Sequence, residues 1–141
     1  MSAQARGRAR SILFVCNMNS VRSPMAEALA RRALGEGVRV ESCGVHEGIL
    51  DPFAAEVLEE AGIPRPERAP QDFAHVNPDD FDVVVALTGE AAGEARRAGA
   101  EPEFWDTANP TETRGDRDAL LAAYREVRDQ LDAKIKERFS L

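Results

Sequence analysis

The chain has 141 residues, of which 43% are hydrophobic and 30% charged, and its formal net charge is −7. This length and composition are typical of one ordinary globular domain. The acidic balance argues against nucleic acid or an anionic membrane as the main partner, and no segment approaches the roughly 20 apolar residues of a membrane span.

The amino terminus is basic and carries Arg6, Arg8 and Arg10. We expect residues 1–10 to form a disordered tail and residues 11–141 to form the domain. The apolar run SILFV is too short for a signal peptide, which predicts a cytoplasmic protein. The only cysteines, Cys16 and Cys43, do not form a CxxC pair. A metal knuckle or a disulfide framework is therefore not expected.

Four short segments have the composition of strands. SILFVC (11–16) and FDVVVAL (81–87) are almost continuously apolar, as in strands that are buried on both faces of a parallel sheet. VRVESC (38–43) alternates between apolar and polar residues, and AEPEFW (100–105) contains a proline. Both features are typical of edge strands.

Helical patterns separate these strands. The pair Ser23-Pro24 predicts an N-cap and first residue for a helix that ends at Gly35 or Gly37. Asp51-Pro52 repeats this opening for a second helix, which we expect to end at Gly62. Thr88 is expected to cap a third helix that reaches about Ala98.

The last helix has an apolar stripe that predicts a buried face: Leu120, Tyr124, Val127, Leu131, Ile135 and Phe139. Strands that alternate with helices predict an α/β three-layer sandwich, with helices on both faces of a four-stranded parallel sheet. Two central and two edge strands favour the order 2-1-3-4. Ligands of such sheets bind beyond the carboxyl ends of the strands, where Cys16 ends the first strand.

The segment CNMNSVRSP (16–24) joins that strand to a helix N-terminus. Backbone N–H groups of residues 17–22 are free of strand or helix partners and form an anion cradle with the helix dipole. Arg22 adds a planar fork that can hold two phosphate oxygens. A cysteine beside an arginine at a helix N-terminus is typical of reactive thiolates, placed here to attack a bound oxyanion. The C-x5-R spacing disfavours the alternative that Cys16 is only a small buried residue.

The stretch VCNMNSVRSPMAEAL (15–29) resembles the signature of low-molecular-weight protein tyrosine phosphatases, V-C-x-G-N-x-C-R-S-P-x-A-E, whose fold includes thioredoxin-coupled arsenate reductases. The similarity extends to ESCGV (41–45), FDVVVAL and FWDTANP (104–110). The resemblance implies a phosphomonoesterase that uses no metal or organic cofactor. Its substrate would be a phosphorylated protein or a small phosphomonoester, and phosphate, sulfate or arsenate would occupy the site.

The resemblance also implies roles for single residues. Cys16 matches the nucleophile that forms a thiophosphate intermediate, and Arg22 matches the arginine that binds the phosphoryl group. Ser23 matches the serine that supports the thiolate. Asn19 matches an asparagine that adopts a left-handed conformation and keeps the loop in shape. Ser42 matches a serine that helps to hold this asparagine. The implied phosphate-binding residues are Asn17, Met18, Asn19, Ser20, Val21 and Arg22.

Three positions depart from the family pattern. Met18 replaces a glycine, so the rim of the cradle carries a side chain. Val21 replaces a neighbouring cysteine, and the resolving cysteines of arsenate reductases are missing, which leaves Cys43 as a redox partner or a packed residue. Asn109 replaces the aspartate that acts as general acid, a role typically worth about 10²–10⁴ in rate. Asp106 is a possible substitute acid.

Three functions therefore remain open. The leading one is a phosphomonoesterase with weakened protonation of the leaving group. The second is an arsenate reductase that uses an external thiol such as glutathione or glutaredoxin. The third is a non-catalytic module that binds oxyanions or phosphopeptides. A preference for phosphotyrosine is in doubt, since Thr111 stands where tyrosine phosphatases often have an aromatic residue.

Overall fold

The protein is described by a computed structural model that covers residues 9–46, 48–66 and 69–139. Four parallel strands form one sheet in the order β2-β1-β3-β4: β1 Ser11–Cys16, β2 Arg39–Gly44, β3 Val83–Ala86 and β4 Glu103–Phe104. Within these ranges four α-helices are present: α1 Arg22–Leu34, α2 Pro52–Glu60, α3 Gly89–Arg97 and α4 Arg117–Arg138. The predicted α/β class and strand order are confirmed. The first eight residues of the predicted tail lie outside the described ranges.

Strand β1 is buried on both faces because helices cover both. Ile12, Phe14 and Cys16 belong to a core that includes residues of α1, α2 and α4. Leu13 and Val15 belong to a second core, which is formed with α3. This two-sided burial explains why the segment is apolar throughout instead of alternating. No helix within the described ranges is long and apolar enough to span a membrane.

The edge strands differ in length from the prediction. Strand β4 has only two residues, paired as Val85 with Glu103 and Ala86 with Phe104. Strand β2 extends to Gly44, which lies opposite Cys16. A Cβ atom on Gly44 would lie 2.5 Å from the backbone nitrogen of Asn19, so only glycine at this position lets the loop that follows β1 pass this close to β2.

The start of α1 also differs. The helix begins at Arg22, so Ser23 is not its N-cap, and Val21 occupies the cap position without a side-chain hydrogen bond. The predicted caps of the next two helices are confirmed, since Asp51 accepts from Phe53 N–H at 2.8 Å and Thr88 from Ala91 N–H at 3.0 Å.

Helix α4 starts earlier than its apolar stripe indicates. Asp116 caps it by accepting a hydrogen bond from Ala119 N–H at 2.9 Å. The stripe is buried from Tyr124 to Ile135, as expected. At the helix start Leu121, three residues before the buried Tyr124 and on the same helix face, is buried, whereas Leu120 is only partly covered.

Candidate active site

A loop of residues 17–21 connects β1 to α1. The carbonyl groups of Cys16, Asn17 and Ser20 accept hydrogen bonds of 2.7–3.0 Å from neighbouring segments, namely from the N–H groups of Val45, His46 and Asp51. Within the described residues, the N–H groups of residues 18–21 donate to no backbone carbonyl. Several donors at the start of a helix therefore remain available to an anion.

Asn19 holds the loop in place. It has a φ of 51° and is 2% exposed. Its Nδ2 donates to Ser23 Oγ and to Ser42 Oγ, each at 2.9 Å, and its Oδ1 accepts from Gln71 N–H at 2.8 Å. Ser42 Oγ in turn donates to the buried carboxylate of Glu27 at 2.6 Å. The left-handed conformation and the Ser42 contact therefore agree with the expectations for both residues.

Cys16 lies at the base of this loop. Its Sγ is 2.9 Å from Ser23 Oγ, and both residues are buried. Ser23 Oγ accepts a hydrogen bond from Asn19, and its own proton has two acceptors within reach, the Cys16 sulfur at 2.9 Å and the Cys43 carbonyl at 3.4 Å. The sulfur is the nearer of the two. This arrangement can support a thiolate at Cys16.

A pocket of about 170 Å³ opens above the sulfur. Its described lining residues are Cys16, Met18, Ser20, Val21, Arg22, Gly48, Ile49, Asn109 and Thr111. The Arg22 guanidinium donates to the Thr107 carbonyl at 3.2 Å, which fixes its position at the pocket wall. A larger depression of about 430 Å³ lies beside β2, but none of its described lining residues is a cysteine, serine or threonine.

The structure brings Asn109, and not Asp106, to the pocket. Asn109 lines it, whereas Asp106 is exposed and is not among the lining residues. Asn109 Oδ1 accepts from Thr111 N–H at 3.1 Å and from Thr111 Oγ at 2.7 Å. These bonds cap a short 3₁₀ turn, Pro110–Glu112, and fix which end of the amide is the oxygen.

Cys43 lies on the other side of the sheet. It pairs in register with Val15 and packs in the core formed with α3, whereas Cys16 belongs to the opposite core. A disulfide between the two cysteines would require a break in the sheet. Cys43 is therefore placed as a packed residue and not as a partner within reach of Cys16.

Two residues at the site, Ile49 and Glu27, were not predicted from the sequence, and the expected binding residue Asn17 lies outside the described pocket lining. Ile49 lines the pocket mouth and is 83% exposed, although it lies in an irregular segment without a motif. Glu27, which accepts the Ser42 hydrogen bond, lies in the MAEAL (25–29) part of the motif, and its place in that motif was the sequence signal that could have identified it. Asn17 does not line the pocket, since its Oδ1 accepts from Thr88 Oγ1 at 2.6 Å. His46 is exposed and also lies outside the lining residues.

Comparisons with known proteins agree with this geometry. Residues 11–139 match the family described as low molecular weight phosphotyrosine protein phosphatase. An arsenate reductase of Bacillus licheniformis is 33% identical over 132 residues, which are 90% of this chain and 93% of the reductase. A solved arsenate reductase in the phosphate binding state is 30% identical with a TM-score of 0.74, covering 93% of this chain and 97% of that one. The YwlE arginine phosphatase of Geobacillus stearothermophilus is 29% identical with a TM-score of 0.72, covering 93% and 90%.

Proposed function

This chain belongs to the low molecular weight phosphotyrosine protein phosphatase family, and on that premise we propose that it is a phosphomonoesterase that works through a cysteinyl-phosphate intermediate. The observation that carries this proposal is the position of Cys16. Its sulfur lines a pocket of about 170 Å³, 2.9 Å from the Ser23 hydroxyl and with Arg22 in the wall.

The proposed reaction has two steps. The Cys16 thiolate attacks phosphorus, the ester oxygen leaves, and a phosphoryl group remains on the sulfur. Water then attacks the phosphorus, which releases phosphate and restores the thiolate. Arg22 and the N–H groups of residues 18–21 stabilise the charge on the equatorial oxygens in both steps. Ser23 supports the sulfur as nucleophile and as leaving group.

Asn19 and Ser42 act as positioning residues in this proposal. Asn19 joins the loop to Ser23, to Ser42 and to the backbone of Gln71 through three hydrogen bonds. Such a network keeps the N–H donors aimed at the phosphoryl group before substrate arrives, which lowers the reorganisation that the reaction requires.

Arsenate reduction with an external thiol is the second candidate. It is favoured by the similarity to arsenate reductases over most of the chain. However, the sequence has two cysteines, and Cys43 packs on the opposite face of the sheet from Cys16. Phosphoryl transfer to water needs only Cys16, whereas reduction would need a thiol from another molecule. For this reason we place the phosphatase first.

Turnover of p-nitrophenyl phosphate by the parent protein, Cys16→Ser and the matched control Cys43→Ala tests the proposal. We expect activity in the parent and in Cys43→Ala, and none in Cys16→Ser. Equal rates in the parent and Cys16→Ser would contradict it. Arsenite formation from arsenate with glutathione and glutaredoxin, without ester hydrolysis, would favour the reductase. Phosphate binding without any turnover would favour the binding module.

A further inference from the structure

The described lining of the pocket above Cys16 includes the amide of Asn109, a hydrogen-bond donor, but no acid. None of its described lining residues has a carboxyl or imidazole group. Asp106 and His46 are both exposed and lie outside the lining. A leaving group that needs a proton would therefore depart slowly from this pocket.

Asn109 is oriented to donate. Its Oδ1 accepts two hydrogen bonds from Thr111, one from the backbone N–H and one from the hydroxyl. The Nδ2 amino group is thus the part of the side chain left to face a ligand. An amide N–H stabilises an anion by hydrogen bonding without giving up its proton. The leaving group that suits Asn109 is accordingly one that is stable as an anion.

From these observations we infer that the phosphoryl donor of this protein is an acyl phosphate, the mixed anhydride of phosphoric acid and a carboxylic acid. The inference rests on the phosphatase function proposed above. A carboxylate leaves with a conjugate-acid pKa of about 4, whereas the phenoxide of tyrosine has one of about 10. The carboxylate therefore needs no proton at neutral pH, and its oxygen can accept the Asn109 N–H.

The chemistry balances without a further reagent. The Cys16 thiolate attacks phosphorus of R–CO–O–PO₃²⁻, the sulfur–phosphorus bond forms, and the anhydride oxygen leaves with its electron pair as R–COO⁻. Water then attacks the cysteinyl phosphate, and Cys16 thiolate and H₂PO₄⁻ are released.

The rim of the pocket indicates an uncharged acyl group. Met18 and Ile49 both line the pocket and are 46% and 83% exposed. They are two of the three large hydrophobic side chains that are exposed in the described part of the chain. Contact with an apolar acyl group would cover this surface.

Benzoyl phosphate and phenyl phosphate provide a matched test, since both carry one benzene ring and differ by the carbonyl group in the leaving group. We would measure kcat/KM for both with the full chain, with Asn109→Asp and with Cys16→Ser, whose rate corrects for spontaneous hydrolysis. We expect the parent to prefer benzoyl phosphate by at least about 10²-fold. Asn109→Asp should accelerate phenyl phosphate by roughly 10²–10⁴ and benzoyl phosphate much less. The ratio of kcat/KM for benzoyl phosphate to that for phenyl phosphate should therefore be smaller in Asn109→Asp than in the parent.

The outcomes separate this inference from the proposed function. Cys16-dependent turnover of p-nitrophenyl phosphate without a preference for benzoyl phosphate would overturn the inference alone, as would equal acceleration of both substrates by Asn109→Asp. If no phosphate ester or anhydride reacts faster than with Cys16→Ser, the phosphatase function itself fails. If Asn109→Asp does not fold, a series of substituted phenyl phosphates on the parent replaces it. A weak dependence of kcat/KM, which reports the first step, on leaving-group pKa would overturn the inference.

Discussion

Cys16 and Ser23 are seven residues apart in the chain, yet Cys16 Sγ and Ser23 Oγ lie 2.9 Å apart. The contact exists because α1 begins at Arg22, which places Ser23 in the first turn directly behind the loop. Ser23 thus supports the sulfur instead of capping the helix. The helix consequently starts without a side-chain cap, so its first turn is less stable than a capped one would be.

Removal of this hydroxyl should slow the reaction. Hydrogen bonds to charged groups contribute about 1.5–3 kcal/mol, so Ser23→Ala is expected to lower kcat for p-nitrophenyl phosphate by roughly 10- to 100-fold. Ser11→Ala is the matched control, since the Ser11 hydroxyl accepts from Asp82 N–H at the far end of β1 and its loss should leave kcat unchanged. Equal kcat values for the parent and Ser23→Ala would exclude a role of this hydroxyl at the sulfur.

The roles of Asn109 and Asp106 can be distinguished by exchanging the amide for a carboxyl group at position 109 and the carboxyl group for an amide at position 106. Asn109→Asp keeps the volume and can still cap the 3₁₀ turn, and we expect it to raise turnover of phosphotyrosine by about 10²–10⁴. Asp106→Asn should change turnover of the parent little, because Asp106 is exposed and does not line the pocket. A collapse of activity in Asp106→Asn would instead identify Asp106 as the acid and overturn the role assigned to position 109.

A second long-range contact links α4 to the loop. Tyr124 Oη donates to Asp51 Oδ2 at 2.9 Å, while Asp51 Oδ1 caps α2 and Asp51 N–H donates to the Ser20 carbonyl at 3.0 Å. Loss of the hydroxyl in Tyr124→Phe should lower the free energy of unfolding by about 1–3 kcal/mol, measured by urea denaturation at neutral pH. An unchanged free energy would show that Asp51 and Ser20 are held without Tyr124.

The same pair predicts a dependence of stability on pH. Burial raises the pKa of Tyr124, and the hydrogen bond to Asp51 and the charge of Asp51 raise it further. A raised pKa in the folded state means that this stabilisation is complete below the unfolded pKa of about 10 and is lost as pH rises above it. Tyr124 is the only tyrosine, so tyrosinate absorbance reports its ionisation directly. Ionisation near pH 10 in the folded protein would contradict the contact.

The fold and the centre of the site were predictable because their signals are local. The apolar runs of β1 and β3 and the caps at Asp51 and Thr88 are short-range patterns, and the C-x5-R loop lies within one motif. The start of α1 was predicted wrongly because the preference of Ser23 for a cap competes with its contact to Cys16. Local propensity could not weigh a tertiary hydrogen bond against a cap.

The remaining site residues come from segments without regular structure. Ile49 reaches the pocket mouth and Gln71 reaches Asn19 only because the chain folds back over the ends of β1 and β2. Neither residue type indicates a site at its position. The separation of the two thiols was also hidden in the sequence, because it depends on the register of β1 against β2, which pairs Val15 with Cys43.

The most direct test of the account is detection of the phosphoryl group on Cys16. The parent protein would be mixed with p-nitrophenyl phosphate, quenched in denaturant within the first turnovers and analysed by intact mass and peptide mapping. Because no acid or base from the described lining residues activates water in the second step, we predict a stoichiometric burst of p-nitrophenol and one phosphoryl group on the peptide that contains Cys16. Cys16→Ser should give neither signal. Turnover by the parent without a phosphorylated Cys16 peptide, or an equal adduct in Cys16→Ser, would contradict the account.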